Sequence, residues 1–233
     1  MSSKSGKKPD KDNFTRNLVI GMVALVAAIL VMPTLIVPLV TNAINPREIS
    51  QTIPAVASAD NGYAISFNTE LTGVPVVDIY EDFQCPVCLE FESVNMKYIE
   101  SLITEKKATV HYHILSFLGD ESVRAANASA CAADEGKFMQ FHNGLYANQP
   151  QVENSGEWSD ERLIAIGATA GISSDKFEKC VKDKGFEGWV SKSAEAAAKA
   201  NVNSTPTVFV NGKEIDRQTQ YMSAANFKTA VEG

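Results

Sequence analysis

The sequence predicts an α/β domain whose sheet is interrupted by an all-helical insert and which is preceded by one membrane-spanning helix. Three observations carry this. Two β-branched runs, residues 74–80 and 108–115, flank a segment with helical period. Residues 120–201 read as helices only, after which strand character returns at Thr207. Residues 18–40 carry no charge at all.

The amino-terminal end comes first in the chain. Residues 1–17 hold Lys4, Lys7, Lys8, Lys11 and Arg16 against Asp10 and Asp12, a basic tail. The uncharged run from Leu18 to Val40 would span roughly 35 Å if helical, enough to cross a bilayer. Pro33 and Pro38 fall in its outer third and kink or fray the last turns. A cleaved signal peptide has a shorter apolar region, and a buried core helix is seldom apolar on every face, so the run reads as an uncleaved anchor. With the basic flank ahead of it, the amino terminus stays cytoplasmic and the rest lies outside, where disulfides persist. Residues 41–60, with two prolines and no period, read as a tether to a domain over 61–233.

Within that domain, residues 63–67 alternate weakly as an edge strand and 74–80 (VPVVDIY) form a buried one. Val87, Phe91, Val94, Tyr98 and Leu102 mark one face of a helix ending near Lys106. Residues 108–115 (ATVHYHIL) give the next strand, and strand–helix–strand order makes the pair parallel. Five helices follow: one capped by Asp120, one over 137–146, one capped by Ser159 and ended by Gly171, one capped by Ser173 or Ser174 and ended by Gly185, and one over 186–200. The insert proper occupies about 118–185. Residues 207–210 form a strand, Asn211-Gly212 a type I′ turn, 213–215 the returning strand, and 223–231 a closing helix.

Of 233 residues, 45% are hydrophobic and 21% charged, the balance of a packed globular chain. The net charge of −7 argues against a nucleic-acid partner. No phosphate loop, dinucleotide fingerprint or serine triad stands in a supporting context. The four cysteines, Cys85, Cys88, Cys131 and Cys180, are too sparse for a disulfide scaffold.

Cys85-Pro86-Val87-Cys88 sits where a strand meets a helix. Cys85 falls at the helix terminus, where free N–H groups and the dipole favour a thiolate, the nucleophilic form. Pro86 costs nothing in the first turn. Cys88 lies one turn deeper, placed to close a disulfide or to resolve a mixed one on Cys85. A zinc half-site needs two further ligands, and only His111 and His113 on a strand are near in sequence, so no metal is expected. A purely structural disulfide is the other bland alternative.

The segments VVDIYEDFQCPVCLEF and TPTVFVNG, with the helical insert between them, resemble the thioredoxin superfamily and, within it, the DsbA-like thiol-disulfide oxidoreductases. The resemblance covers about residues 60–233. It implies a thioredoxin-like fold, an attacking Cys85, a resolving Cys88, and a cis peptide bond at Pro206, with Thr205 offering its backbone to an extended substrate. It implies reduced secreted proteins as substrates, no diffusible cofactor, and re-oxidation by a membrane thiol oxidase of the DsbB or vitamin-K-epoxide-reductase type. The amino-terminal helix adds membrane lipid as a partner.

The sequence departs from the family in two places. Val87 stands where DsbA has histidine, which implies a less oxidising pair. Ile79 stands where many relatives carry a buried acid, leaving Glu81, and less favourably Asp78, to shuttle a proton to Cys88. The better reading of Cys131 and Cys180 in an exported domain is a structural disulfide. His142, near Phe138, Phe141 and Tyr146, reads as a packing residue, as do Trp158 and Trp189. The whole reads as an anchored, extracytoplasmic oxidoreductase that introduces disulfides. A reductase or isomerase of the same fold and a non-catalytic peptide-binding module are the alternatives.

Overall fold

The structure, a computed structural model, describes residues 49–233. The basic tail predicted over 1–17, the anchor over 18–40 and the first part of the tether, residues 41–48, lie outside the described residues. Among the described residues no helix is long and apolar enough to cross a membrane.

Five strands make one sheet in the order β1-β3-β2-β4-β5. They are β1 (Ile65–Phe67), β2 (Val76–Glu81), β3 (Thr109–Ile114), β4 (Thr207–Val210) and β5 (Lys213–Glu214). β2 and β3 run parallel, joined by α1 (Pro86–Thr104), as the strand–helix–strand order predicts. β1 runs antiparallel to β3, and β4 antiparallel to both β2 and β5. Asn211 and Gly212, with φ of 50° and 74°, make the tight turn between β4 and β5.

Alternation along β2 and β3 sorts the side chains. Ile79 pairs in register with Tyr112, and Asp78 with His111. Asp78, Tyr80, His111 and His113 line a cleft that Ala196 and Ala200 also border. The opposite face carries Ile79, Glu81 and Tyr112, all buried.

The insert comprises α2 (Asp120–Asp134), α3 (Phe138–Ala147), α4 (Asp160–Thr169) and α5 (Asp175–Lys182), followed by α6 (Glu187–Lys199) before β4. Ser159 and Ser174 cap α4 and α5 through their side chains. The cap of α2 falls on Gly119 rather than Asp120, which is instead its first residue. α2 is alanine-rich and buried on most sides, which lets α3, α4, α5 and α6 all pack against it. Gly167 admits the ring of Phe177 so closely that an added Cβ would lie 2.3 Å from it. Cys131 of α2 and Cys180 of α5 form a disulfide across the insert, 49 positions apart.

Trp158 and Trp189 are fully buried and their indole N–H groups donate to Asn148 O and Tyr63 O. Each such ring contributes about 2–3 kcal/mol of burial. α7 (Ala224–Glu232) closes the fold by setting Phe227 edge-on to Phe91 and Tyr98 of α1. Residues 49–60, read from sequence as the end of a tether, lie instead against the domain. Ser50 O accepts from Gly188 N, Ala55 N donates to Asp134 Oδ1, and Ala57 bridges to Ile65. A Cβ at Gly188 would meet Ser50 O at 2.0 Å, so this contact requires glycine.

Candidate active site

β2 ends at Glu81, and four residues later the chain enters α1. Cys85 is the N-cap of α1 and Pro86 its first residue. The cap has no side-chain hydrogen bond of its own, so the free N–H groups of the first turn face the Cys85 sulfur. The loop is held by the insert. Asp82 Oδ1 accepts from Gln84 N (2.9 Å) and Ser122 Oγ (2.6 Å), while Oδ2 accepts from Leu118 N (3.1 Å). Burial raises the Asp82 carboxyl above its ordinary range, and these donors oppose that. Gln149 Nε2 donates to Phe83 O and Cys85 O, and Gln84 Oε1 accepts from Asn154 N. The insert therefore sets the position of the motif, a role its own composition gives no sign of.

Cys85 and Cys88 are both free thiols here. Cys85 is 7% exposed, less open than its place at a helix terminus suggests, and Pro86 and Val87 are the exposed members of the motif, Val87 at 41%. Cys85 Sγ lies 3.6 Å from the Thr205 carbonyl oxygen, and the Thr205–Pro206 bond is cis. The Cys85 thiol is lowered to about 6, first by its hydrogen bond with Cys88, against burial, then by Thr205 and the N–H groups of Cys88 and Val87. Cys88 is fully enclosed, and burial pushes its thiol well up. The two sulfurs differ in kind: one is poised as a thiolate, the other holds its proton.

Of the two acids offered as proton shuttles, the structure brings only Glu81 to the pair. Its charge acts on Cys88, and its side chain is wholly buried. Asp78, three residues earlier on the strand, points to the other face, where its Oδ1 sits 3.1 Å from His113 Nε2. Sequence reasoning missed three residues here. Asp82 is the clamp described above. Glu92 is one helical turn beyond Cys88, a spacing that puts both on one face and could have been read. His142 reaches Glu81 Oε1 through Nε2 at 2.6 Å from 61 positions away, and no local signal foretells that.

A dithiol at the head of the first long helix, facing a cis-proline loop across a mixed sheet, defines a protein of thioredoxin fold. The family model described as Thioredoxin matches residues 73–232, and the chain belongs to that family. Among curated relatives, disulfide bond formation protein D of Bacillus subtilis is 28% identical over 172 residues, covering 68% of this chain and 77% of that protein. The first curated relatives are much longer. The chain spans 20% of the Na(+)/H(+) antiporter NhaA 3 of Salinispora tropica and 26% of the serine/threonine-protein kinase PknE of Mycobacterium tuberculosis. Among solved structures, reduced DsbA from Mycobacterium tuberculosis is 30% identical with a TM-score of 0.59, covering 73% of this chain and 92% of that one. The MdbA thiol-disulfide oxidoreductase of Actinomyces oris shares the fold, with a TM-score of 0.67 over 78% of this chain and 92% of its own.

Proposed function

We propose that this protein is a thiol-disulfide oxidoreductase that introduces disulfide bonds into secreted proteins by exchange at Cys85 and Cys88. The observation that carries the reading is the contrast between the two sulfurs, one lowered to about 6 and one pushed well up. In the working cycle a substrate thiolate attacks Cys85 Sγ of the oxidised pair. The Cys85–Cys88 bond breaks, and Cys88 leaves as a thiolate and takes a proton by way of Glu81. A second substrate thiolate attacks the substrate sulfur of the mixed disulfide, and Cys85 leaves as the stabilised thiolate. Two electrons have passed to the pair, and the substrate holds a new disulfide.

The cis Thr205–Pro206 bond supports an extended substrate segment pairing with the Thr205 backbone. Re-oxidation falls to a membrane thiol oxidase of the DsbB or vitamin-K-epoxide-reductase type. The uncharged run 18–40 behind a basic flank supports a single-pass anchor with the domain outside the cell membrane. A mature chain beginning near Asn42 or Asp60 would overturn the anchor. Val87 in place of a histidine favours a second reading, a reductase or isomerase, because it removes a group that would further stabilise the thiolate. Oxidation of a reduced peptide and reduction of insulin, measured side by side, separate the two, and inertness in both leaves a peptide-binding module. In cells, Cys88→Ser is expected to accumulate reductant-sensitive adducts on Cys85, and Cys85→Ser few. Adducts on Cys88 alone would refute the assignment.

A further inference from the structure

Proton transfer by way of Glu81 leaves its enclosed surroundings unexplained: His142, Glu92 and the unpartnered second oxygen of Glu81 itself. All three residues are completely enclosed. Glu81 Oε2 and both oxygens of Glu92 have no hydrogen-bond partner among the described residues. One nitrogen of His142 and one oxygen from each acid lie within 4.8 Å of one another. Phe83, Tyr112, Phe138 and Tyr146 surround the imidazole, with ring centroids 4.9 to 5.6 Å away, and keep water out.

Hydrogen-bond chemistry places one proton of the ring. Asn143 Nδ2 donates to Glu100 Oε1 at 2.6 Å. A carboxylate only accepts, so the amide NH₂ must face Glu100 and the amide oxygen must face His142. His142 Nδ1, 3.1 Å from that oxygen, therefore carries a proton. On the other side Nε2 meets a carboxyl oxygen at 2.6 Å. Ligands on a shared metal ion, with bonds of about 2.0–2.1 Å in tetrahedral geometry, stand more than ~3 Å apart, so this short contact is a hydrogen bond and not the edge of an ion site. Nε2 and Glu81 Oε1 share one more proton, and although burial lowers the ring, the Glu81 charge and hydrogen bond raise it to about 9, so the ring is an imidazolium paired with the Glu81 carboxylate. A second carboxylate in the same enclosure would go unbalanced, so Glu92 is a carboxylic acid, and burial with the Glu81 charge pushes it that way.

We propose that His142 is a positioning residue for the step performed by Cys88: its imidazolium is the constant counter-charge that lets one negative charge move between Glu81 and Cys88 inside a closed core. This rests on the reading of Cys88 as the resolving thiol. When Cys88 attacks, its proton passes to Glu81 Oε2, Glu81 becomes neutral, and the sulfur carries the charge. The enclosure holds one cation and one anion before and after this transfer; when the sulfur enters the disulfide its charge leaves with the departing thiolate, and Glu81 gives up its proton so that the imidazolium keeps its partner. The groups facing His142 are Glu81 from β2, Tyr112 from β3, Glu92 from α1, and Asn143 and Tyr146 from α3, with Glu100 behind Asn143. None of them is a second cation. Without the imidazolium, Glu81 would sit in the core as an unpaired charge, would take up a proton instead, and could not serve as the base.

The test uses the reduced full chain in detergent and a chromogenic aryl disulfide. Attack by Cys85 releases one aryl thiolate and forms a mixed disulfide. Attack by Cys88 then releases the second. In His142→Gln the first phase is expected to keep its rate, and the second to slow at least tenfold at pH 7 and to recover as pH rises. A second phase with unchanged rate and pH profile would overturn the proposal. The unmodified protein supplies an independent measurement, because it has three histidines and ¹⁵N-histidine spectra resolve their rings. His111 and His113 variants identify their own signals. The remaining ring is expected to carry protons on both nitrogens at pH 7, and a neutral His142 ring at that pH would overturn the proposal even if the variant does not fold. Absence of both aryl-thiolate phases in the unmodified protein would instead refute the exchange activity, a different failure.

Discussion

The sulfur one turn below Cys85 is the largest single cause of its thiolate's stability, and this can be tested by changing Cys88 alone. The thiol moves from an ordinary value of 9.0 to about 6, about 4 kcal/mol in favour of the thiolate. Because the folded value is depressed, this stabilisation of the reduced protein is full only above pH 9 and is lost as pH falls through about 6. At pH 7 roughly 1.4 kcal/mol of this is realised, or about 30 mV toward a more oxidising pair. The hydrogen bond from Cys88 is the largest cause, and one to a charged acceptor contributes about 1.5–3 kcal/mol. Cys88→Ala should therefore raise the midpoint by about 1–2 units, whereas Cys88→Ser keeps a donor and should leave it near 6. Thiolate absorbance or the pH dependence of alkylation reads the midpoint directly. A midpoint unmoved in the alanine variant would show that the helix terminus and Thr205 suffice. An equal rise in both variants would show that the O–H donor does not replace the thiol.

Three further outcomes are expected. Replacing Cys131 and Cys180 by serine opens a loop of 49 positions, for which chain entropy gives about 4 kcal/mol. Calorimetry should show a lower Tm while peptide oxidation continues, and an unchanged Tm would contradict this. Asp82→Ala strands the donors of Gln84 N, Ser122 Oγ and Leu118 N in a buried loop. At about 1–3 kcal/mol for each group left unsatisfied, urea unfolding should show a loss of about 3 kcal/mol, and a loss below about 1 would disprove the clamp. Last, His142 is raised to about 9: burial lowers it, but the charge and hydrogen bond of Glu81 outweigh that. A raised group stabilises fully below its unfolded value near 6.5 and loses that contribution as pH climbs through about 9. In the oxidised protein, where neither active thiol titrates, the urea midpoint should fall over this window, and a rising midpoint would refute the ion pair.

Elements whose pattern is local were legible in the chain. Periodicity of two and of 3.6 located the strands and helices to within a residue or two, because alternation and helical spacing decide which face can be buried. Ser159, Ser174 and Ser223 cap their helices because a hydroxyl oxygen reaches the free N–H groups of the first turn. The parallel pairing of β2 and β3 followed from strand–helix–strand order, since such a crossover has one favoured hand. The junction of strand, Cys-x-x-Cys and helix marked the site from residues adjacent in sequence.

What tertiary structure alone decided is everything that depends on contacts between distant segments. The sequence favoured Glu81 over Asp78 without showing what either would meet. Strand alternation puts them on opposite faces, where Glu81 meets His142 of α3 and Asp78 meets His113 of β3. Asp82, flanked by more conspicuous residues, becomes the anchor of the active loop only because Ser122 and Leu118 of the insert approach it. His142 belonged to an aromatic helix face and read as packing, and its pairing with an acid 61 positions away is a product of how α3 docks. The docking of residues 49–60 depends on Gly188 lacking a side chain against Ser50 O. Burial of a charge takes its meaning from its partner, and a partner that distant is specified by the packing of whole elements and not by spacing along the chain.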